Sequence, residues 1–350
     1  MRKPLIVAGV LLLVAALATG LVVSRAAKQF SDSFRGYSGD SLRVEIPRGR
    51  SARQILDGLE EKGVIRNALH ARLFLVRSMG DPPLKAGEYL FEEPLATEQV
   101  LRKLARGEVI THAVTIVEGL TLEETALLIS EAGFGDLEPL LEAMRNPSLV
   151  ADLDPAADDL EGYLFPDTYS FARGTTEAQI VATLVATFRR RLEQISLQSS
   201  EEVRSIVTLA SIIEKEAQLD DERPLIGAVF ANRLERGIPL AADPTIIFAL
   251  KLEDRWNGNI RKADLKLDSP FNTYLHAGLP PSPICSPGLA SLSSAARPAE
   301  TKDLYFVSRN DGSHVFATNL AEHNRNVDRW QRQYWRERWA RERRERAQGD

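Results

Sequence analysis

The sequence predicts an α+β protein: an N-terminal transmembrane helix, a small β-α-α-β subdomain, and a larger domain mixing helices with short strands. Three observations carry this expectation. Residues 5–23 are 19 consecutive uncharged positions rich in Leu, Val and Ala, close to the ~20 that span a bilayer. Residues 42–91 switch from strand-like alternation to helical periodicity and back. From residue 112 onward a strand pattern leads into a series of amphipathic helices, followed by a stretch at 239–315 rich in Pro, Gly, Ser and Asn.

The uncharged run is flanked by Arg2 and Lys3 before it and by Arg25 and Lys28 after it. It reads as an anchor over 1–24 with a cytoplasmic N-terminus, which places the rest of the chain outside the plasma membrane. A cleaved signal peptide is the competing reading, since Ala16-Leu17-Ala18 resembles a small-residue cleavage site. Residues 25–41 are polar and read as a linker. In 42–108, Leu42 to Ile46 alternates like a strand. Helices follow at 51–62 and 68–79, a strand returns at 85–91, and a short helix covers 97–106. In 109–335, His112 to Val117 is a strand stopped by Gly119, and Thr121 with Glu124 forms a capping box. Helices are expected at 121–132, 136–144, 176–195, 200–217 and 222–236, and short strands near 304–307 and 315–317. The tail, 336–350, continues a segment from Arg329 with eight arginines, four acidic residues and Trp335 and Trp339 on one helical face. It reads as a solvated helical extension, or as a surface for a membrane or partner.

Composition narrows the chemistry. A net charge of -5 gives no general reason to expect nucleic acid. Cys285 is the only cysteine and the five histidines have no paired ligand spacing, so no metal or other cofactor is expected. No phosphate loop and no GxSxG elbow is present. Carboxylates, amides and tyrosines in loops remain, the equipment of a carbohydrate site.

The sharpest candidate lies in the helix from Val203 to Ala217. Val203, Ile206, Val207, Ala210, Ile213 and Ala217 form one apolar face. At about 100° per residue, Glu214 falls about 50° from the centre of that stripe, whereas Lys215 and Glu216 fall further round toward water. Ser199 and Glu202 have the spacing of a capping box that sets the helical phase. Two readings stand. Glu214 is a rim residue whose stem carries it to water, or it is a desolvated carboxyl that retains a proton and serves as a general acid. Beside it, residues 160–169 surround Glu161 with aromatics. Ala242 to Thr245 reads as a turn, with Asp243 placed to cap the next segment. Residues 269–274 and 278–284 are proline-stiffened loops.

These segments together carry a resemblance. Glu118-Gly119, Glu161 to Tyr169, Ala210 to Glu216, Val229 to Leu234, Asp243-Pro244-Thr245, Ser269 to Tyr274 and Glu322-His323-Asn324 resemble the YceG-like family of endolytic murein transglycosylases, over about residues 40–335. The β-α-α-β unit resembles the LysM-like subdomain of that family. Tyr163, Tyr169 and Phe271 stand where relatives often carry other aromatics, which keeps a surface for sugar stacking. The resemblance implies cleavage of the β-1,4 bond between N-acetylmuramic acid and N-acetylglucosamine within a strand, leaving a 1,6-anhydro end. It places the catalytic glutamate on Glu214, with Glu216 as the competitor. Asp243, Thr245, Asn272, Thr273, Tyr274 and Glu161 are then expected to bind or orient the sugar. Glycan strands, the membrane and strand-polymerising synthases are the expected partners. Two rival readings remain: a non-catalytic glycan-binding scaffold, and a hydrolytic muramidase with Asp243 or Glu161 as second carboxylate.

Overall fold

A computed structural model describes residues 31–195, 201–336 and 338–339. The anchor run at 5–23 and Ser199 of the expected capping box lie outside the described residues, as does most of the tail. Among the described residues, no helix is long and apolar enough to cross a membrane. The chain divides into two units, one holding residues up to Ala113 with Ser170–Thr175, the other holding Val114–Tyr169 and the residues from Thr176 onward.

In the first unit, β1 (Leu42–Ile46) pairs antiparallel with β2 (Gly87–Phe91), and Val44 faces Tyr89 in register. Between them lie α1 (Ala52–Glu61) and α2 (Ala68–Met79), and α3 (Thr97–Arg106) comes next. The caps explain the boundaries. Ser51 and Gln54 close a capping box on α1, Asn67 Oδ1 accepts from the His70 N–H on α2, and Gly80, at φ 76°, ends α2. Alternation puts Val44, Ile46, Tyr89 and Phe91 on one side of the hairpin, where they meet Leu56, Leu59, Leu75 and Leu101. The Tyr89 hydroxyl donates to the Lys85 carbonyl at 2.8 Å, so the ring is buried without leaving its polar atom unpaired.

The second unit is mainly helical. Its elements are α4 (Leu122–Glu131), α5 (Leu137–Met144), α6 (Glu177–Leu192), α7 (Glu201–Glu216), α8 (Arg223–Glu235), α9 (Asp243–Leu252), α10 (Leu289–Ala296) and α11 (Leu320–Val327). β5 (Tyr305–Ser308) pairs with β6 (His314–Ala317), while β3 (Thr111–Thr115) and β4 (Thr168–Ala172) each have residues in both units. The Thr121–Glu124 capping box forms as expected. α7 is the central element: every residue from Val207 to Ile213 is buried, and α8, α9 and α10 pack on it.

Two helices sit where the sequence suggests irregular chain. α9 is apolar on most sides and lacks a helical stripe, and α10 is built from Leu, Ala and Ser with no strong periodicity. Both owe their form to the faces they meet in the core rather than to amphipathic pattern. Asp243 is also not the cap that the turn pattern suggests. Ala242 occupies the cap position and Asp243 is the first helical residue. β4 and α11 are likewise not evident in the sequence, the first because Thr168 to Ala172 sits within an aromatic, acidic segment that reads as loop.

Gly162 fixes the chain just after Glu161. Its φ of +87° is left-handed, and a Cβ there would lie 2.5 Å from Pro283 Cβ and 2.9 Å from Val207 Cγ1. Gly162→Ala is expected to cost about 2–5 kcal/mol, summing left-handed strain and overpacking. Gly58, inside α1 with open space around it, supplies the contrast: Gly58→Ala is expected to stabilise by about 0.5–1 kcal/mol. Urea unfolding of both variants beside the parent checks the pair.

Candidate active site

The last turn of α7 sends three charged side chains to three different neighbours. Glu214 is held on both oxygens: Oε1 accepts from Arg223 Nη2 at 3.1 Å and Oε2 accepts from the Gly288 N–H at 2.9 Å. The side chains of Glu214 and Arg223 are only 6% and 8% exposed, so this is a buried ion pair. Arg223 also reaches Glu118 at 3.7 Å, pairs with Asp220, and donates from Nε to Ser291 Oγ at 3.0 Å. Burial and the neighbouring Glu214 push the Glu118 carboxyl up. Lys215 donates to the Gly119 carbonyl at 3.1 Å, which ties the Glu118-Gly119 turn to the end of α7. The apolar surroundings expected around Glu214 are therefore replaced by a cation and a backbone donor. Helical phase locates the residue correctly on the rim of the stripe but does not reveal that the start of α8 and the loop before α10 close over it.

Glu216, expected to face water, is the carboxyl with a perturbed environment. The preceding residues Val207–Ile213 are all buried, and Glu216 at the end of α7 is half-buried rather than exposed. Burial, and then the negative charge of Asp243, raise the Glu216 carboxyl to about 7, with Arg233 pulling the other way. Glu216 takes part in no hydrogen bond or ion pair among the described residues, so its oxygens remain available to a ligand. Beside it, the Tyr274 hydroxyl donates to Asp243 Oδ1 at 2.5 Å. Burial and that same carboxylate push the Tyr274 phenol up. Arg233 supports the cluster from below. It donates from Nε to the Leu304 carbonyl at 2.6 Å and from Nη1 to that of Leu240 at 2.7 Å, and it lies 5.2 Å from the Tyr305 ring centroid. Tyr305 in turn stacks on His323 at 5.1 Å. Neither arginine stands out in the sequence, since no spacing rule joins Arg223 or Arg233 to a partner on another element.

The remaining expected sugar contacts separate into two groups. Asp243 is exposed and Tyr274 half-buried, and both face the Glu216 cluster. Thr245, Asn272 and Thr273 are fully buried. Thr245 Oγ1 and Thr273 Oγ1 lie 2.9 Å apart, Thr273 Oγ1 accepts from the Ala242 N–H, and Asn272 Nδ2 donates to the Leu267 carbonyl at 2.8 Å while its Oδ1 accepts from the Tyr274 N–H. These three bond the segments that carry Asp243 and Tyr274, with their side-chain polar atoms satisfied inside the protein. Glu161 sits elsewhere. Its Oε2 accepts from the Leu122 N–H at 2.9 Å at the start of α4, and desolvation raises its carboxyl to about 8. The charges acting on Glu216 are those of Asp243 and Arg233, not that of Glu161.

An uncommitted carboxyl that carries a proton near neutrality, next to a carboxylate held by a tyrosine, suits acid catalysis on a glycosidic bond. The two glutamates should differ in stability as well as in chemistry. Glu214→Gln weakens the pairing of a buried guanidinium and is expected to lower stability at pH 8 by about 1–3 kcal/mol. For Glu216 the folded carboxyl, at about 7, lies above its ordinary 4.5, so the stability it confers is full below 4.5 and is lost as pH rises to 7. Glu216→Gln is therefore expected to match the parent at pH 4 and to exceed it at pH 8 by about 1–3 kcal/mol. Denaturant unfolding at the two pH values distinguishes the pair.

Comparison with known proteins identifies the family. A model of the YceG-like family matches residues 44–329. An endolytic murein transglycosylase of Streptococcus pneumoniae serotype 2 (strain D39) is 31% identical over 321 residues, covering 81% of this chain and 57% of that protein. The chain thus spans little more than half the length of that relative. An endolytic murein transglycosylase of Bacillus subtilis (strain 168) is 29% identical over 313 residues, covering 84% of this chain and 86% of that one. The crystal structure of a YceG-like protein from Listeria monocytogenes superposes with a TM-score of 0.53 at 33% identity, over 82% of this chain and 99% of that one. The family match extends from β1 through α11, across the whole Glu216 cluster, and the chain belongs to the YceG-like family.

Proposed function

We propose that this protein is a membrane-anchored endolytic peptidoglycan transglycosylase that cleaves the β-1,4 bond between N-acetylmuramic acid and N-acetylglucosamine and leaves 1,6-anhydro ends. The observation that carries the reading is the raised, unpartnered carboxyl of Glu216 beside the Asp243–Tyr274 pair. The names of the Streptococcus and Bacillus relatives support the substrate class. Residues 1–24 act as the anchor, with the N-terminus cytoplasmic and the remainder outside the plasma membrane. Residues 25–41 are the linker, 42–108 the LysM-like subdomain, 109–335 the catalytic domain and 336–350 a basic tail. Cutting nascent strands next to the synthases that polymerise them sets strand length.

One carboxyl group completes the reaction. Protonated Glu216 donates to the glycosidic oxygen as the bond from C1 of the muramic residue breaks, and the shortened strand leaves as an alcohol. Positive charge at C1 is stabilised by Asp243, whose carboxylate is oriented by the Tyr274 hydroxyl. The muramic C6 hydroxyl then closes onto C1 and returns its proton to Glu216. The substrate supplies its own nucleophile at high effective molarity, so the site needs no second base and no water. Glu214, the residue that helical phase favours, serves in this reading to hold the turn that presents Glu216. Asp243 also favours one alternative, hydrolysis with Asp243 as the base that activates water, which yields reducing ends.

The test is product analysis by mass spectrometry on uncrosslinked strands, comparing the full chain with Glu216→Gln and Glu214→Gln. Anhydro ends from the parent, reduced about 10²–10⁴-fold in Glu216→Gln, are expected. Anhydro ends that persist in Glu216→Gln and vanish in Glu214→Gln would return the acid to Glu214. Reducing ends would make the enzyme a hydrolase, and strand binding without new ends would leave a scaffold. Since the acid must begin protonated, kcat/KM is expected to fall tenfold per pH unit well above about 7.

A further inference from the structure

A polar cavity lies by Arg204 near the start of α7, outside the cluster around Glu216. It encloses about 170 Å³, room for an aminoalkyl side chain. Asp154, Asp158, Asp159 and Glu161 line it together with Phe248 and Phe271. The two phenylalanine rings are 5.0 Å apart, and Leu252 extends their apolar wall. The charges do not cancel. Asp154 is buried and spent on Arg204, at 2.7 Å, and on the Tyr163 hydroxyl, at 2.6 Å. Arg204 is further engaged with the Pro281 carbonyl. That leaves Asp158, which is exposed, and Asp159, whose Oδ1 accepts only the Glu161 N–H. Glu161 adds a separate observation. It is 6% exposed, and its Oε1 is buried with no hydrogen-bond partner, although its other oxygen is paired. Burial without a charge partner leaves this carboxyl protonated, and a cation brought by a ligand would ionise it, send its proton to water and pair Oε1.

We propose that this cavity binds the side-chain ammonium of the diamino acid in the stem peptide of the glycan strand, with Asp158, Asp159 and Glu161 Oε1 accepting its hydrogen bonds and the Phe248 and Phe271 rings covering its methylenes. The inference rests on the peptidoglycan reading above. An ammonium on a flexible apolar stem is matched by carboxylates at the end of an apolar wall, with the ring faces contributing further attraction. The distances agree. α9 runs from Asp243 beside Glu216 to Phe248 and Leu252 on the cavity, five and nine positions on, which is about 8 and 14 Å at 1.5 Å per residue. An extended peptide covers about 3.3–3.6 Å per residue, so the third stem residue of a muramic acid seated at Glu216 reaches about 10 Å. The burial that raises the Asp159 carboxyl is consistent with a site awaiting a cation. The enzyme would thereby select stems whose amino group is free over stems whose amino group has been acylated in a crosslink.

The test is isothermal titration of the full chain with a soluble glycan fragment carrying intact stems, and with the same fragment N-acetylated at the diamino acid. Asp158→Asn with Asp159→Asn keeps shape and the acceptor for the Glu161 N–H, and Asp158→Lys, at an exposed position, reverses the charge without burdening the fold. The parent is expected to bind the free-amine fragment about tenfold more tightly, the loss typical of one charge-assisted hydrogen bond. Both variants should bind the two fragments equally. Equal affinity of the parent for both, a preference that survives in the variants, or no binding of either fragment would overturn the proposal. The enzymatic reading fails separately. Discrimination without anhydro ends leaves the cavity assigned and the reaction wrong, and anhydro ends without discrimination do the reverse.

Discussion

The position of the whole site depends on the buried pair between Glu214 and Arg223. α7 ends there, and α8 begins there, so the pair joins the last turn of one helix to the first turn of the next. Gly288, at the start of α10, donates to the same carboxylate, and the Glu118-Gly119 turn is tied on through Arg223 and Lys215. Four segments distant in sequence are thus referenced to one ionised group. Desolvating two charges is expensive, and the pair gains little in net stability over an apolar contact of the same shape. What it supplies is a single geometry, since an unpaired guanidinium at that depth has no acceptable alternative position.

That geometry leaves Glu216 as the uncommitted member of the turn. Its neighbour Glu214 takes two donors and Glu216 takes none among the described residues, and burial and then Asp243 raise the Glu216 carboxyl. The arrangement costs folding stability at neutral pH, because the site must hold a carboxyl whose charged form is disfavoured there. Strained or frustrated ionisable groups of this kind gather where chemistry is done. The fully buried Thr245, Asn272 and Thr273 serve the same end indirectly. They secure the two segments from which Asp243 and Tyr274 project, so the accessible polar groups of the cluster are held by fully buried ones.

Much of the scaffold is legible in the sequence. The boundaries of α2 and α3, the Thr121 cap and the two strands β1 and β2 of the first unit come from local signals: a cap residue, a terminal glycine, alternation of apolar positions. Those signals are strong because their energies are local, each involving atoms within a few residues. α9 and α10 lack them. Their sequences are apolar or small on every face, and their conformation is stabilised by packing that the local pattern does not encode.

By itself the sequence determined the α+β class, the order of most elements outside 239–315, and the family, and it pointed to Glu214, with Glu216 as competitor, as the acid. Helical phase alone did not show the surroundings of either glutamate. Helical phase measures angle about one axis, and the meaning of an angle depends on what stands in that direction. The tertiary structure placed Arg223 and Gly288 opposite Glu214, and Asp243 and Arg233 around Glu216. Charge and burial act through space between elements as far as 74 positions apart in the chain, so only the packed fold decided which glutamate is bound and which is free.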